Sequence, residues 1–200
     1  METSTAAAAL AAEPALTAAE RDQARLFIEQ ARNAVIGTIK GVSEKQANFK
    51  PGPDIWSIAE ILEHVVIVQE RVLGPIWEQL AAAPAGPADR PYTLVDAIVI
   101  NQFPARLLKF QGPPAIHPKG GLPLSAGADR LEANIRRLLD NLEAPELRLH
   151  VIEALPLKAI TNGEHQVLDA YQWILAAAAH TERHAKQILD VKANPNFPPD

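Results

Sequence analysis

Apolar positions at helical spacing recur along the chain in capped stretches, separated by segments that proline and glycine interrupt. Thr17-Ala-Ala-Glu20 has the form of a capping box, in which a hydroxyl and a carboxylate satisfy backbone N–H groups that a helix start leaves unpaired. Leu26, Ile28, Val35, Ile36 and Ile39 follow at helical spacing, and Gly41 is the expected stop. Ser57-Ile-Ala-Glu60 repeats the cap, with Trp56 before it placed to pack on Ile61 as a staple. The second helix is predicted over 58–80; the β-branched run at 65–68 favours strand, but the cap and the length of the stretch outweigh it. Residues 81–127 are dense in proline and glycine and predict a long connection, with a short helix over 92–101 capped by Thr93. A third core helix is predicted over 129–142, from the stripe Leu131, Ile135, Leu138 and Leu139. The fourth starts near Gln166 or Leu168 and runs to Lys192, where the prolines at 195, 198 and 199 end it. The stretch 147–160 has no clear pattern, and no set of alternating strands is legible. Four long amphipathic helices with a long middle connection predict an all-α chain, a four-helix bundle with a crossover connection.

Composition agrees with one domain. The chain has 200 residues, 48% of them hydrophobic and 22% charged, with a net charge of -5. That balance supports a folded core and gives no electropositive surface for phosphate backbones, so nucleic acid is not an expected partner. The alanine-rich start lacks a basic region and is interrupted by Glu2 and Glu13, so it reads as an N-terminal arm over 1–15 and not as a secretory signal. A helical domain over 16–192 and a short tail over 193–200 complete the division. No run reaches the roughly 18 to 20 apolar residues of a membrane helix, and a cytoplasmic location is the default expectation. With no cysteine there is no thiolate nucleophile and no Cys-based metal site, so a metal would take His, carboxylate or water ligands.

The histidines are the candidate chemistry. His180 and His184 lie four residues apart, which on a helix is about 6 Å along the axis and about 40° in projection, so both can reach one ion. A neutral imidazole offers a lone pair near pH 7 without bringing a charge into a core. The preceding Ala176, Ala177, Ala178 and Ala179 are small enough to leave room beside the rings. An i,i+4 histidine pair also arises by chance, and solvated rings are the competing reading; a third ligand decides between them. His64 lies inside the second helix among apolar residues, where it is either a satisfied core histidine or that third ligand from a facing helix. The H-E-x-x-H metalloprotease pattern is excluded, because Thr181 follows His180 and Glu182 faces away, where Lys186 is its natural partner. Glu60 and Gln187 are either orienting partners of the histidines or surface residues, and His117, His150 and His165 read as solvated. Trp173 lines a pocket or packs in the core. No Gly-x-Ser-x-Gly elbow, P-loop or dinucleotide fingerprint is present.

Trp56-Ser-Ile-Ala-Glu60-Ile-Leu-Glu-His64 resembles the second-helix motif of the DinB/YfiT-like superfamily. Leu168-Asp-Ala-Tyr-Gln-Trp173, followed by His180-Thr-Glu-Arg-His184-Ala-Lys-Gln187-Ile, is similar to its fourth-helix motif, and 106–118, with Lys109-Phe and Gly112-Pro-Pro114, to its connection into the third helix. The likeness covers about 16–192. It implies a four-helix bundle with three histidines holding a divalent metal, often zinc or nickel, completed by water; His64, His180 and His184 match those ligands one for one. Family members include S-transferases and isomerases that use low-molecular-weight thiols, and proteins described as metal-dependent hydrolases, and dimers are common among them. In the loop ahead of the fourth helix the family often has a His-Pro and a Gly, where this chain has Asn162-Gly163-Glu164-His165-Gln166-Val167, so that loop's role in substrate recognition does not transfer.

The expected function is therefore that of a metal-dependent S-transferase or hydrolase acting on a small molecule, with an open metal position for water or a substrate thiol. Any thiol must arrive with the substrate. No side chain stands out as general base, so the metal-activated nucleophile serves itself or Glu60 assists. The alternative is a non-catalytic helical bundle that binds a metal or small ligand, a stress-related or dimerisation module. For a homodimer the apolar 94–100 piece is the candidate surface.

Overall fold

Local capping chemistry determines where the longest helices begin. The computed structural model describes residues 15–106 and 112–199; most of the expected N-terminal arm and the Lys109-Phe pair lie outside them. Thr17 accepts a hydrogen bond from the Glu20 N–H at 3.2 Å and Glu20 accepts one from the Thr17 N–H at 2.8 Å, opening α1 (Ala18–Ile39). Ala24, Phe27, Ile28, Ala31 and Val35 form its buried face, whereas Leu26, expected on the stripe, is exposed. Gly41 takes a positive φ of 73° just past the end, as expected of a C-terminal stop. A short α2 (Glu44–Ala47) leads to α3 (Ile58–Arg71), which opens on the reciprocal Ser57 and Glu60 bonds.

The second predicted helix does continue to residue 82, but through a wider π-helical turn at Val72–Ile76 before α4 (Trp77–Ala82). Pro75 explains the widening, since it has no N–H to donate and its ring crowds the preceding turn of an α-helix. The short helix of the connection, α5 (Tyr92–Gln102), starts behind Pro91 without a side-chain cap, so Thr93 does not cap it. α6 (Leu124–Asn141) begins five residues earlier than the 129–142 expected. Its Gly127 looks like a breaker in sequence, but a Cβ there would stand 2.7 Å from Leu62 Cδ2, so the missing side chain lets α6 approach α3 closely.

The unclear stretch and the last loop contain what the pattern did not reveal, a pair of short strands. β1 (Val151–Glu153) pairs antiparallel with β2 (Val167–Asp169), and α7 (Leu155–Ile160) lies between them. Because Leu168 belongs to this ladder, α8 (Ala170–Lys192) starts later than expected, capped by Asp169 in reciprocal bonds with Gln172. The described chain is otherwise mainly helical. α1 packs on α8, α8 on α3, α3 on α6 and α6 on α1, with α5 against α8, and all five helices contribute to the buried core. None of the described helices is long and apolar enough to cross a membrane.

At the start of α8 a guanidinium is locked into the interior. Arg148 is 1% exposed and is held between the rings of Tyr92 and Tyr171, 4.8 and 4.5 Å from their centroids. It pairs with Asp96 at 2.6 Å, Glu20 at 2.9 Å and Asp169 at 3.3 Å, while Arg90 reaches Asp169 at 3.1 Å and also donates to the Arg148 carbonyl. Burial works against the Arg148 charge, but the Asp96 hydrogen bonds and the neighbouring carboxylates raise its pKa above the usual arginine value. Burial raises Asp169, with the two arginines opposing that shift; Glu20 ends below its usual value because bonds from Thr17 and Arg148 overcome its burial.

Candidate metal centre

Three imidazoles meet between α3 and α8. His64 and His184 are buried and His180 partly so. The Nε2 atoms of His64 and His184 each lie 3.1 Å from His180 Nε2, and one nitrogen from each of the three rings falls within 4.8 Å of the others. A tetrahedral ion with bonds of about 2.05 Å holds its nitrogens about 3.3 Å apart, so the spacing fits a shared cation.

The hydrogen-bond partners fix which nitrogens carry protons. His64 Nδ1 lies 2.6 Å from the Ile116 carbonyl and His184 Nδ1 lies 2.7 Å from Gln187 Oε1; both oxygens accept, so both Nδ1 atoms donate and both Nε2 atoms present bare lone pairs. His180 Nδ1 is buried without a partner. A proton on His180 Nε2 can serve only one of its two neighbours, which leaves the other neighbour's lone pair without a donor. A cation accepts all three, and the donor set therefore fits a metal ion.

Electrostatics favour the same state. Burial lowers the pKa of all three rings. For His64 the Ile116 hydrogen bond partly opposes the shift and nearby His117 adds to it. His180 is pushed well below the usual histidine value, first by burial and then by the other two rings. His184 is pushed down to about 3, by burial first, with His64, Arg183 and Arg106 adding repulsion. Neutral imidazoles, ready to ligate, result.

Of the two candidate orienting residues, Gln187 holds His184, whereas Glu60 is occupied as the α3 cap and pairs with Lys50 at 2.9 Å. The Ile116 carbonyl, which orients His64, carries no side-chain signal and was not foreseen. Trp56 lies over His64 with ring centroids 4.8 Å apart, a contact beyond the expected staple. His117 also contacts Trp56, with ring centroids 6.1 Å apart and its Nε2 2.9 Å from the Gly112 carbonyl, and does not join the group. His150 is not simply solvated, since Nδ1 donates to the Ala83 carbonyl at 2.7 Å; His165 is partly buried through a turn in which its N–H donates to Thr161. Glu182 pairs with Lys186 at 2.8 Å, as its position on the helix predicted. Ala176, Ala177, Ala178 and Ala179 are all buried, so their small volume serves core packing. Trp173 packs against the core, with its Nε1 buried and unpartnered.

No curated protein and no solved structure matches the chain. A family model described as the DinB superfamily matches residues 28–188, a span that includes α3, most of α8 and all three converging histidines. The chain belongs to the DinB superfamily.

Proposed function

We propose that this chain is a DinB-like four-helix bundle, with residues 83–123 as its long crossover, in which His64, His180 and His184 ligate one divalent cation, zinc or nickel, for work on a small-molecule substrate. The observation that carries this reading is the meeting of three Nε2 atoms, two of them fixed as lone-pair donors. A divalent cation with an open position supplies Lewis acidity, lowering the pKa of a water or thiol it binds toward neutrality. That chemistry serves S-transfer or hydrolysis, with a low-molecular-weight thiol as co-substrate in the first case.

The chain's own residues do three things. Ile116 and Gln187 hold the His64 and His184 protons on Nδ1. Burial keeps the rings neutral, so no proton competes for the lone pairs. Trp56 covers the His64 ring on one side. A non-catalytic binding bundle is the second reading, favoured by the engagement of Glu60, the one side chain expected to assist as a base, as cap and ion pair.

Metal analysis of protein purified without an affinity tag tests the centre: near-stoichiometric zinc, nickel, manganese or iron is expected, and its loss in His64→Ala. Metal-free parent protein that also fails to take up added zinc would overturn the proposal. Conjugation of several cellular thiols to monobromobimane, with His64→Ala as control, separates enzyme from binder; equal rates in parent and variant would reject thiol-transfer catalysis.

A further inference from the structure

Glu63 and His64 are consecutive on α3, and both are buried, at 7% and 5% exposure. They hold opposite ends of one short segment. His64 Nδ1 donates to the Ile116 carbonyl at 2.6 Å, while the two Glu63 oxygens accept the Lys119 N–H at 3.2 Å and the Gly120 N–H at 2.9 Å. The segment suits such a grip: Pro118 restricts its middle, and Gly120 and Gly121 take φ of +78° and +86°, a left-handed turn that side chains disfavour. A carboxylate receiving two backbone N–H groups makes charge-assisted bonds, stronger than those between neutral groups. Nothing about the histidines themselves requires Glu63. Its geometry matters because the Ile116 carbonyl can select the His64 tautomer only while the segment stays in place.

We infer that Glu63 is a positioning residue for the metal centre: it anchors residues 116–120 so that the Ile116 carbonyl holds the proton on His64 Nδ1 and leaves Nε2 bare for a cation. This rests on the metal-centre reading proposed above. The coupling runs both ways. A cation drawing electrons from Nε2 makes Nδ1–H a better donor, so metal binding also tightens the segment, and the two effects are equal by linkage.

Zinc affinity of the full chain, measured by competition with a chromophoric chelator, tests the role. Loss of an outer hydrogen-bond partner of a ligand typically weakens metal binding by about tenfold to a hundredfold. Glu63→Ala is expected to lose at least about tenfold, and Glu63→Gln, which keeps one acceptor, to recover part of it. Two readouts separate positioning from bulk stability. In 15N-labelled, metal-free parent the His64 ring shows the Nδ1–H tautomer alone, and Glu63→Ala shows a mixture. In the parent, zinc slows hydrogen exchange at the Gly120 amide. Should Glu63→Ala fail to fold, Glu63→Gln and the zinc-dependent exchange of the parent decide the matter. Parent-like zinc affinity in Glu63→Ala, or Gly120 exchange indifferent to zinc, overturns the inference. If His64→Ala loses zinc while Glu63→Ala retains it, the centre stands and only the positioning role falls; if both retain it, the centre itself is rejected.

Discussion

α8 carries two buried polar clusters of opposite character. At its start, Arg148 brings a charge into the core and every part of it is answered, by three carboxylates and two aromatic faces. Further along, His180 meets His64 and His184 as neutral rings whose lone pairs converge with too few protons between them. The first cluster carries its own counter-charges and ties together α1, α5, the strand pair and α8. The second brings together three nitrogens close enough to share one cation. Buried polarity that is satisfied marks architecture; buried polarity whose missing partner has a definite charge and position marks a site.

Arg148→Met breaks the first cluster and is the most damaging change expected. It leaves Asp96 without its arginine and Asp169 with Arg90 alone, and removing one partner of a buried pair costs about 3–5 kcal/mol. Urea unfolding of purified protein reads the loss; a change below about 1 kcal/mol would show that the carboxylates find other partners.

Acid tests the histidine cluster directly. His184 falls from an unfolded value of about 6.5 to about 3 in the folded state, so the unfolded chain takes up protons first and stability declines as pH drops below about 6.5. Metal-free protein is expected to lose about 2 kcal/mol from His184 alone between pH 7 and pH 5, with a shallower slope in His184→Ala. In the Arg148 cluster the lowered Glu20 weakens the fold and the raised Asp169 favours it as pH falls, so the two oppose each other. Unfolding curves at pH 7, 6 and 5 that run parallel in parent and variant would contradict the shift.

Gln187→Ala removes the acceptor that holds His184 Nδ1–H, and zinc affinity by chelator competition should fall about tenfold, with folding stability nearly unchanged. The smallest effect belongs to the same helix. Lys186→Ala breaks a partly exposed pair with Glu182, so stability should move by less than about 0.5 kcal/mol and zinc affinity not at all. A large response there would mean that the solvent face of α8 also serves the site.

The contrast explains what could be read from the residues alone. Thr17 and Ser57 were legible as caps because each bonds within three positions, and His180 with His184 because a helix repeats locally. Bundle geometry offers His64 only as one of two readings and the resemblance decides between them, since no spacing rule links it to His180, 116 positions away. Arg148 was not singled out, because its partners Glu20, Asp96 and Asp169 lie 21 to 128 positions distant. Ile116 acts through a carbonyl that every residue possesses. The start of α8 was misplaced for a similar reason: Leu168 pairs with Ile152, and that ladder overrides a helix pattern that fits as far back as Gln166.

Asp169 ends the ladder, caps α8 and accepts two arginines, so it acts as an indexing pin for the helix that follows. Each added residue turns an α-helix by about 100° and advances it about 1.5 Å. His180 lies eleven positions beyond the pin. Inserting or deleting one alanine in between would leave the composition almost untouched, yet swing both imidazoles a quarter-circle out of phase with α3.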